Sequence, residues 1–599
     1  MNSSLRSTKN EEPCIVYPWD VCDEDEMNAK ANFQNNYLDH MSNLKLKSKT
    51  PSNTLTTIAC GVLPNVTKEL IEEYCENGVS MVVFSFEGLS REQCLKFVNE
   101  IRQGVFNFSL KKNDRIPYSM ALVLDLEGSR IKTGSISTSE PNQNMIELPT
   151  NGHVYVTNDI TYKNKCTENR IYVTSNSILR LKEHDRIYLD YGKIELVVKT
   201  VDADEVYCNV YRGEFLGSRR SVHIAGIPIG TTSLSEKDEE NVRIGIELKV
   251  DIILIPGVRN AEFFKRVKKF VCDERGTDID LYAKIDNSVG LECIDEIIKS
   301  ADGVFLHRPN LSMELGYHRI FLAQKIVLTK CNIMGKPSVT YGGFLNSMER
   351  NAMPASSDVN DVVNAVLDGT DCIYLSVTKR SEHQVHCVEF ASSLCRQGEA
   401  AIWKQQLFSE LNNKSKTPID PAHAISIGCV EVSLKCNAAA IIVITTSGLS
   451  AKIIARYRPM CPVMAILRHG KCARKISVWR NLIALHYIDP IETVWSKDVE
   501  NRTKLAMKFA KKKGILNQGD LILHMRCSKQ NAGFANNMSL FYVSEGDLAD
   551  TSEAERSFST LKRIKRFLRN SMTENRLIAL AMLSIEKQIS KTFQISTKK

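Results

Sequence analysis

The chain has 599 residues, 43% hydrophobic and 25% charged, with a formal charge of +8, so it is an ordinary globular composition too long for one core. Roughly two to four domains are expected, and a charge this modest and unevenly spread gives no footprint for nucleic acid. The beginning MNSSLRSTKNEEP has no apolar h-region, and there is no run of about 18 apolar residues. The eighteen cysteines include no CxxC pair, which suits reduced thiols and points to a cytoplasmic protein without disulfides or zinc.

Residues 1–39 are polar and read as a flexible extension. Short apolar runs then alternate with helical patterns through residue 134: TTIACGV and SMVVFSF each precede a helix, and SMALVLDL is a third strand candidate. Over 135–234 the rhythm breaks into β-rich pieces (HVYVT, IYVTS, RIYLDYGKIELVVKTV, VYCNVYRG), as in an inserted all-β lid. Alternation resumes over 235–381 with VDIILIPGV, IDLYAKI, DGVFLHR, GKPSVTYG and DCIYLSV. With the three strands before the insertion this gives eight, and a (β/α)8 barrel is the natural closure, with function at the C-terminal ends of its strands. Residues 382–548 read as a second α/β domain with strands in AAIIVIT, PVMAIL and DLILHM. In the basic tail, 549–599, LKRIKRFLRN precedes RLIALAMLSIEKQI at roughly helical spacing. That tail suits either a helix packed on its own protein or partner subunit, or an amphipathic segment touching acidic surfaces.

Within DLYAKIDNSVGL (280–291), Lys284 and Asp286 share one side of a strand end. A cation and an anion there suit an anionic substrate and a divalent metal, or simply an intra-strand ion pair. This stretch, with DVVNAVLDGTDCIYLS (361–376), GEAAIWKQQLFSEL (398–411) and AAIIVITTSGLSAKIIARYRP (439–459), resembles the pyruvate kinase family from about His40 to about Ser544. The lid pieces LDYG (189–192) and LGSRRSV (216–222) carry the same resemblance.

The resemblance implies phosphoryl transfer from phosphoenolpyruvate to ADP, with Mg2+ and K+, by a tetramer of the homo- or hetero-oligomeric kind. It assigns Lys284 to the transferring phosphoryl and Asp286 to magnesium, one methylene shorter than the family's Glu. The second metal ligand, in the family an Asp after Arg-Gly, is Asn310 in Arg308-Pro309-Asn310-Leu311-Ser312. Pro309 removes a backbone N–H from the helix start that holds the substrate carboxylate, and Gly342 replaces a threonine of that pocket. Two such losses cost about 3–6 kcal/mol, or two to four decades in affinity or rate. The family's phosphate-binding arginine is Val83; potassium ligands become Ser85 and Glu87, while Asp125 is kept, with Leu126 beside it in the same metal set. Lys132 replaces a catalytic arginine and faces the nucleotide with Arg219 or Arg220 from the lid. Arg130 stands where the family has a glutamate, which puts potassium dependence in question. His307 is either a replacement donor or a packed strand-end residue. Thr445, Ser447 and Ser450 in TTSGLS match the nest for a sugar bisphosphate, or form a plain turn. Its usual basic flanks are Thr446 and Leu449, and the later effector loop is Ser528-Lys529-Gln530-Asn531. The sequence therefore implies an impaired pyruvate kinase, or a catalytically dead homologue serving an active paralogue as a structural or regulatory subunit.

Overall fold

The computed structural model describes residues 37–42, 44, 53–112, 116–128, 131–137, 145–202, 204–224, 234–379, 381–528 and 533–544. Two compact units are present, Met1–Lys49 and Thr50–Lys599. The first contributes one described helix, Tyr37–Ser42; the basic tail and most of the N-terminal extension lie outside the described residues. No helix among the described residues is long and apolar enough to cross a membrane.

Three strands open the second unit: β1 (Thr57–Gly61), β2 (Met81–Phe84) and β3 (Ala121–Asp125). The chain then leaves for the lid: β4 (Ile131–Lys132), β5 (Met145–Glu147), β6 (His153–Thr157), β7 (Arg170–Tyr172), β8 (Arg186–Leu189), β9 (Ile194–Val201), β10 (Glu205–Arg212), β11 (Phe215–Gly217) and β12 (Ser221–Ile224). It returns as β13 (Ile252–Ile255), β14 (Asp280–Ile285), β15 (Gly303–His307), β16 (Ser338–Tyr341) and β17 (Cys372–Leu375). These eight barrel strands close in the order β1-β17-β16-β15-β14-β13-β3-β2, all parallel. The expected (β/α)8 barrel is what the chain forms.

The lid is a seven-stranded sheet, β4-β12-β8-β9-β10-β6-β7, beside the β11-β5 pair. It begins at Ile131, ahead of the expected residue 135, because β4 pairs antiparallel with β12. Helix Gln384–Ala400 presents Cys387, Val388, Ala391 and Cys395, at helical spacing, to the same core as the barrel strands. The C-terminal sheet has five strands, with β18 (Ala440–Ile444), β19 (Val463–Leu467), β20 (Leu482–His486), β21 (Leu521–Arg526) and β22 (Asn537–Tyr542) in the order β20-β19-β18-β21-β22.

Local signals set several boundaries. Ser90 and Gln93 form a reciprocal capping box that starts helix Arg91–Lys111. Asn260 and Asn287 cap the helices that follow β13 and β14, so the chain turns sharply at each strand's functional end.

The barrel interior is a packed layer of Ala59, Met81, Val83, Ala121, Val123, Ile252, Leu254, Tyr282, Phe305, Val339, Cys372 and Tyr374, joined by Val478 from the C-terminal domain. Val478 seals the barrel floor, where its carbonyl accepts the Thr57 hydroxyl at 2.9 Å. Buried ion pairs fix this junction: Arg474 to Asp251 at 2.9 Å and Arg458 to Asp371 at 2.6 Å.

The C-terminal sheet also carries two histidines, His486 and His524, whose imidazoles burial pushes down to about 4. In the unfolded chain they titrate near the ordinary value of about 6.5. Between these values the unfolded state binds protons that the native state refuses, so this stability is complete above the unfolded value and is lost as pH falls toward 4. The urea midpoint is expected to drop between about pH 7 and about pH 5, and to drop less in a His486→Gln/His524→Gln variant.

Candidate active site

Lys284 lies on β14 and is only 2% exposed. Its Nζ donates to Asp125 Oδ1 on β3 at 2.7 Å and lies 5.6 Å from the Phe305 ring centre. This ion pair joins β14 to β3, the two strands that flank β13.

Asp286, just past the strand, accepts from the Gly257 N–H at 3.3 Å and from Asn287 Nδ2 at 2.9 Å. An ionised carboxylate has about four lone-pair positions, so this group still has acceptor capacity for a hard cation. Mg2+ is held well by one or two carboxylates plus substrate phosphates. Asp286 and the neutral amide of Asn310 fit that chemistry with one charge fewer than a two-carboxylate site. Among the described residues no group of three or more His, Cys, Asp or Glu forms a self-sufficient metal set.

The helix Arg308–Leu315 begins with Pro309 in its first turn and His307 as its cap. His307 Nδ1 accepts the Asn310 N–H at 3.3 Å, and the imidazole is 3% exposed. His307 is thus the packed strand-end residue of the two alternatives, and it consumes the first donor beyond the proline. Arg308 turns away onto Asp361, a forked pair with both contacts at 2.6 Å, and onto Gln324 at 3.0 Å. It also donates to the Gly342 carbonyl. A Cβ at Gly342 would meet Arg308 Cβ at 2.8 Å, so glycine makes room for the arginine.

On the phosphate side, Val83 is fully buried in the barrel-interior layer and offers no polar group. Ser85 Oγ accepts from the Glu87 N–H at 3.2 Å, while Leu126 is a buried hydrocarbon. Glu87 pairs with Lys132, and Glu127 stands 3.7 Å from the same ammonium. The potassium set thus does not fit. One expected ligand is neutralised by an internal cation, and Asp125 is engaged by Lys284. Arg130, the residue that first put potassium in question, lies outside the described residues.

Arg219 adopts a left-handed backbone (φ 55°) beside Arg220, whose guanidinium lies 3.8 Å from Asp190. In the C-terminal domain, Thr445 Oγ1 accepts from Gly448 N–H at 3.1 Å and Ser447 Oγ from Leu449 N–H at 3.4 Å. Ser450 Oγ accepts from Ala535 N–H at 3.2 Å. The Thr445 and Ser447 hydroxyls serve their own turn, the Ser450 hydroxyl ties that turn to Ala535, and Leu449 is exposed where a basic flank is usual. The loop residues Lys529, Gln530 and Asn531 lie outside the described residues.

Sequence reading missed Glu127, His223 and Glu314. His223, on the lid strand β12, has its Nε2 3.7 Å from Glu314 Oε1. Burial lowers its pKa, while the charges of Glu314 and Asp286 oppose that shift. Only the acidic residue inside LDLEGSRIK hinted at Glu127; the His223–Glu314 approach joins residues 91 positions apart and leaves no local pattern.

The architecture is thus a parallel eightfold barrel with an inserted β-sheet domain and a buried lysine–carboxylate pair at the C-terminal ends of its strands. Residues 53–383 match the family model described as pyruvate kinase, barrel domain, and 423–541 match pyruvate kinase, alpha/beta domain. The chain is 32% identical to pyruvate kinase PKLR of Homo sapiens over 86% of this chain and 89% of that protein. It is 28% identical to pyruvate kinase 1 of Trypanosoma brucei brucei, covering 84% and 99%, and 31% identical to the pyruvate kinase of Candida albicans, covering 70% and 83%. This chain belongs to the pyruvate kinase family.

Proposed function

We propose that this protein transfers the phosphoryl group of phosphoenolpyruvate to ADP, slowly relative to its relatives. In that reaction the enol C–O–P linkage breaks at phosphorus and an ADP oxygen bonds to it. The enolate takes a proton to become pyruvate. The observation that carries the reading is Lys284, buried at the end of β14 with its ammonium held by Asp125 across the mouth. A fixed cation at that point stabilises a loose transition state, in which charge spreads over the phosphoryl oxygens. Asp286 and Asn310 would hold Mg2+, which when bound neutralises phosphate charge. Arg219 and Arg220 supply positive charge from the lid toward the nucleotide, and Lys132 joins them only by giving up its pair with Glu87.

The rate is low because the carboxylate side is depleted. Pro309 has no N–H, the Asn310 N–H is spent on His307, and Gly342 brings no hydroxyl. The same internal satisfaction favours a second reading, a structural or regulatory subunit beside an active paralogue in a cytoplasmic tetramer. Magnesium-dependent pyruvate release, measured beside a Lys284→Ala control, separates the two. In the same assay, neither potassium nor fructose bisphosphate is expected to change turnover. Lys132 already neutralises Glu87, and the hydroxyls of Thr445, Ser447 and Ser450 bond within their own fold. A sharp rise with either ligand contradicts that part of the reading.

A further inference from the structure

We infer that His307, Tyr341 and Tyr374 form an aromatic plug that crowds the carboxylate side of the barrel mouth and weakens binding of the enolpyruvate moiety. The inference rests on the reading of this mouth as the phosphoenolpyruvate site. Strand register sets the three rings in one row: His307 on β15 is opposite Tyr341 on β16, which is opposite Tyr374 on β17. The His307 and Tyr341 ring centres are 4.6 Å apart, edge to face, and those of Tyr341 and Tyr374 are 5.1 Å apart. Phe305 lies beneath, 6.0 Å from Tyr341 and 5.8 Å from Tyr374. These separations are those of attractive aromatic pairs, so the row is packed rather than merely crowded.

The row also reaches β1. A Cβ on Gly61 would lie 2.8 Å from the Tyr374 hydroxyl oxygen, so the side-chain-free position lets the ring extend across the mouth. His307 and Tyr374 are 3% and 4% exposed. At its other end the row abuts the start of helix Arg308–Leu315, where His307 Nδ1 takes the Asn310 N–H. A carboxylate at that helix start needs free N–H groups and open volume. His307 occupies the donor, and the row behind it holds the ring in place. The candidate nucleotide cations Lys132, Arg219 and Arg220 come from the lid instead. The plug therefore acts on one substrate and spares the other. It is a specificity device rather than a catalytic one.

The test is isothermal titration of the full chain with phosphoenolpyruvate, and separately with ADP, in magnesium buffer. Wild type is compared with His307→Ala, Tyr341→Ser and the double variant. The double variant is expected to bind phosphoenolpyruvate about tenfold more tightly than wild type, with ADP affinity changed less than about twofold. A purely structural role would shift both ligands together. No gain in phosphoenolpyruvate affinity in any variant overturns the plug, as does wild-type binding as tight as the double variant's. The ADP titration separates two failures. ADP binding without that gain removes the plug alone; binding of neither ligand by any variant removes the reading of the mouth as well.

Discussion

Replacing Asp371 by alanine is expected to destabilise the barrel and its junction with the C-terminal domain by about 3–5 kcal/mol, the usual cost of deleting one partner of a buried ion pair. Asp371 is 1% exposed at the base of β17. One oxygen accepts from Arg458 Nη1 at 2.6 Å and from the Arg480 backbone N–H at 3.2 Å. The other accepts from the Ser338 N–H at 3.0 Å and its hydroxyl at 3.2 Å. Burial also lowers the pKa of the Arg480 guanidinium, against the opposing charge of Glu399. Without Asp371, Arg458 keeps its charge in a buried place and loses its carboxylate. Trp479 lies between Val478 and Arg480 at this junction, so its fluorescence during urea unfolding reads the effect. A loss below about 1 kcal/mol would mean that the junction ion pair carries little of the domain coupling.

Reversion of the carboxylate side gives the largest expected gain of activity. Pro309→Gly restores a backbone donor, and Asn310→Asp restores a metal-binding charge. Together they are expected to raise kcat/KM for phosphoenolpyruvate by about 10- to 100-fold. From the sequence, adding Val83→Arg and Gly342→Thr completes the recovery. The structure alters that expectation. Val83 is sealed in the barrel-interior layer, and a threonine Cβ at 342 runs into Arg308, which is tied to Asp361. Overfilling of this kind costs about 1–3 kcal/mol per site. The quadruple variant is therefore expected to melt below the Pro309→Gly/Asn310→Asp double variant without exceeding its kcat/KM. A quadruple variant that is both more active and equally stable would show that Arg308 and the interior layer yield freely.

The barrel was legible because each strand is a short apolar run bounded by turn residues, and helices such as Arg91–Lys111 carry their own caps. The C-terminal edge strand β22 was harder to read. Its residues alternate between half-buried and exposed, and its pairing is with β21 at the sheet edge, so it lacks the fully buried pattern of the central strands. The buried face of helix Gln384–Ala400 has the right period for either neighbouring core, and only the tertiary contacts show that it packs with the barrel strands.

At the site, the sequence displayed which groups are missing, and the fold shows what has replaced them. Proline at 309 is visible in the chain, whereas its neighbour's capping by His307 depends on a rotamer and a helix start. Likewise Lys132 reads as a retained cation, but its pairing with Glu87 spans 45 positions and emerges only when the loop after β2 meets β4. The row of His307, Tyr341 and Tyr374 needs the register of three strands that are far apart in sequence.

Magnesium-dependent release of pyruvate from phosphoenolpyruvate and ADP, by purified wild type beside Lys284→Ala, is the most direct measurement. The expected result is slow turnover in the wild type that Lys284→Ala abolishes, with both proteins folded by circular dichroism. Turnover that survives Lys284→Ala, or none above that control in a well-folded wild type, would contradict a phosphoryl transfer centred on this lysine.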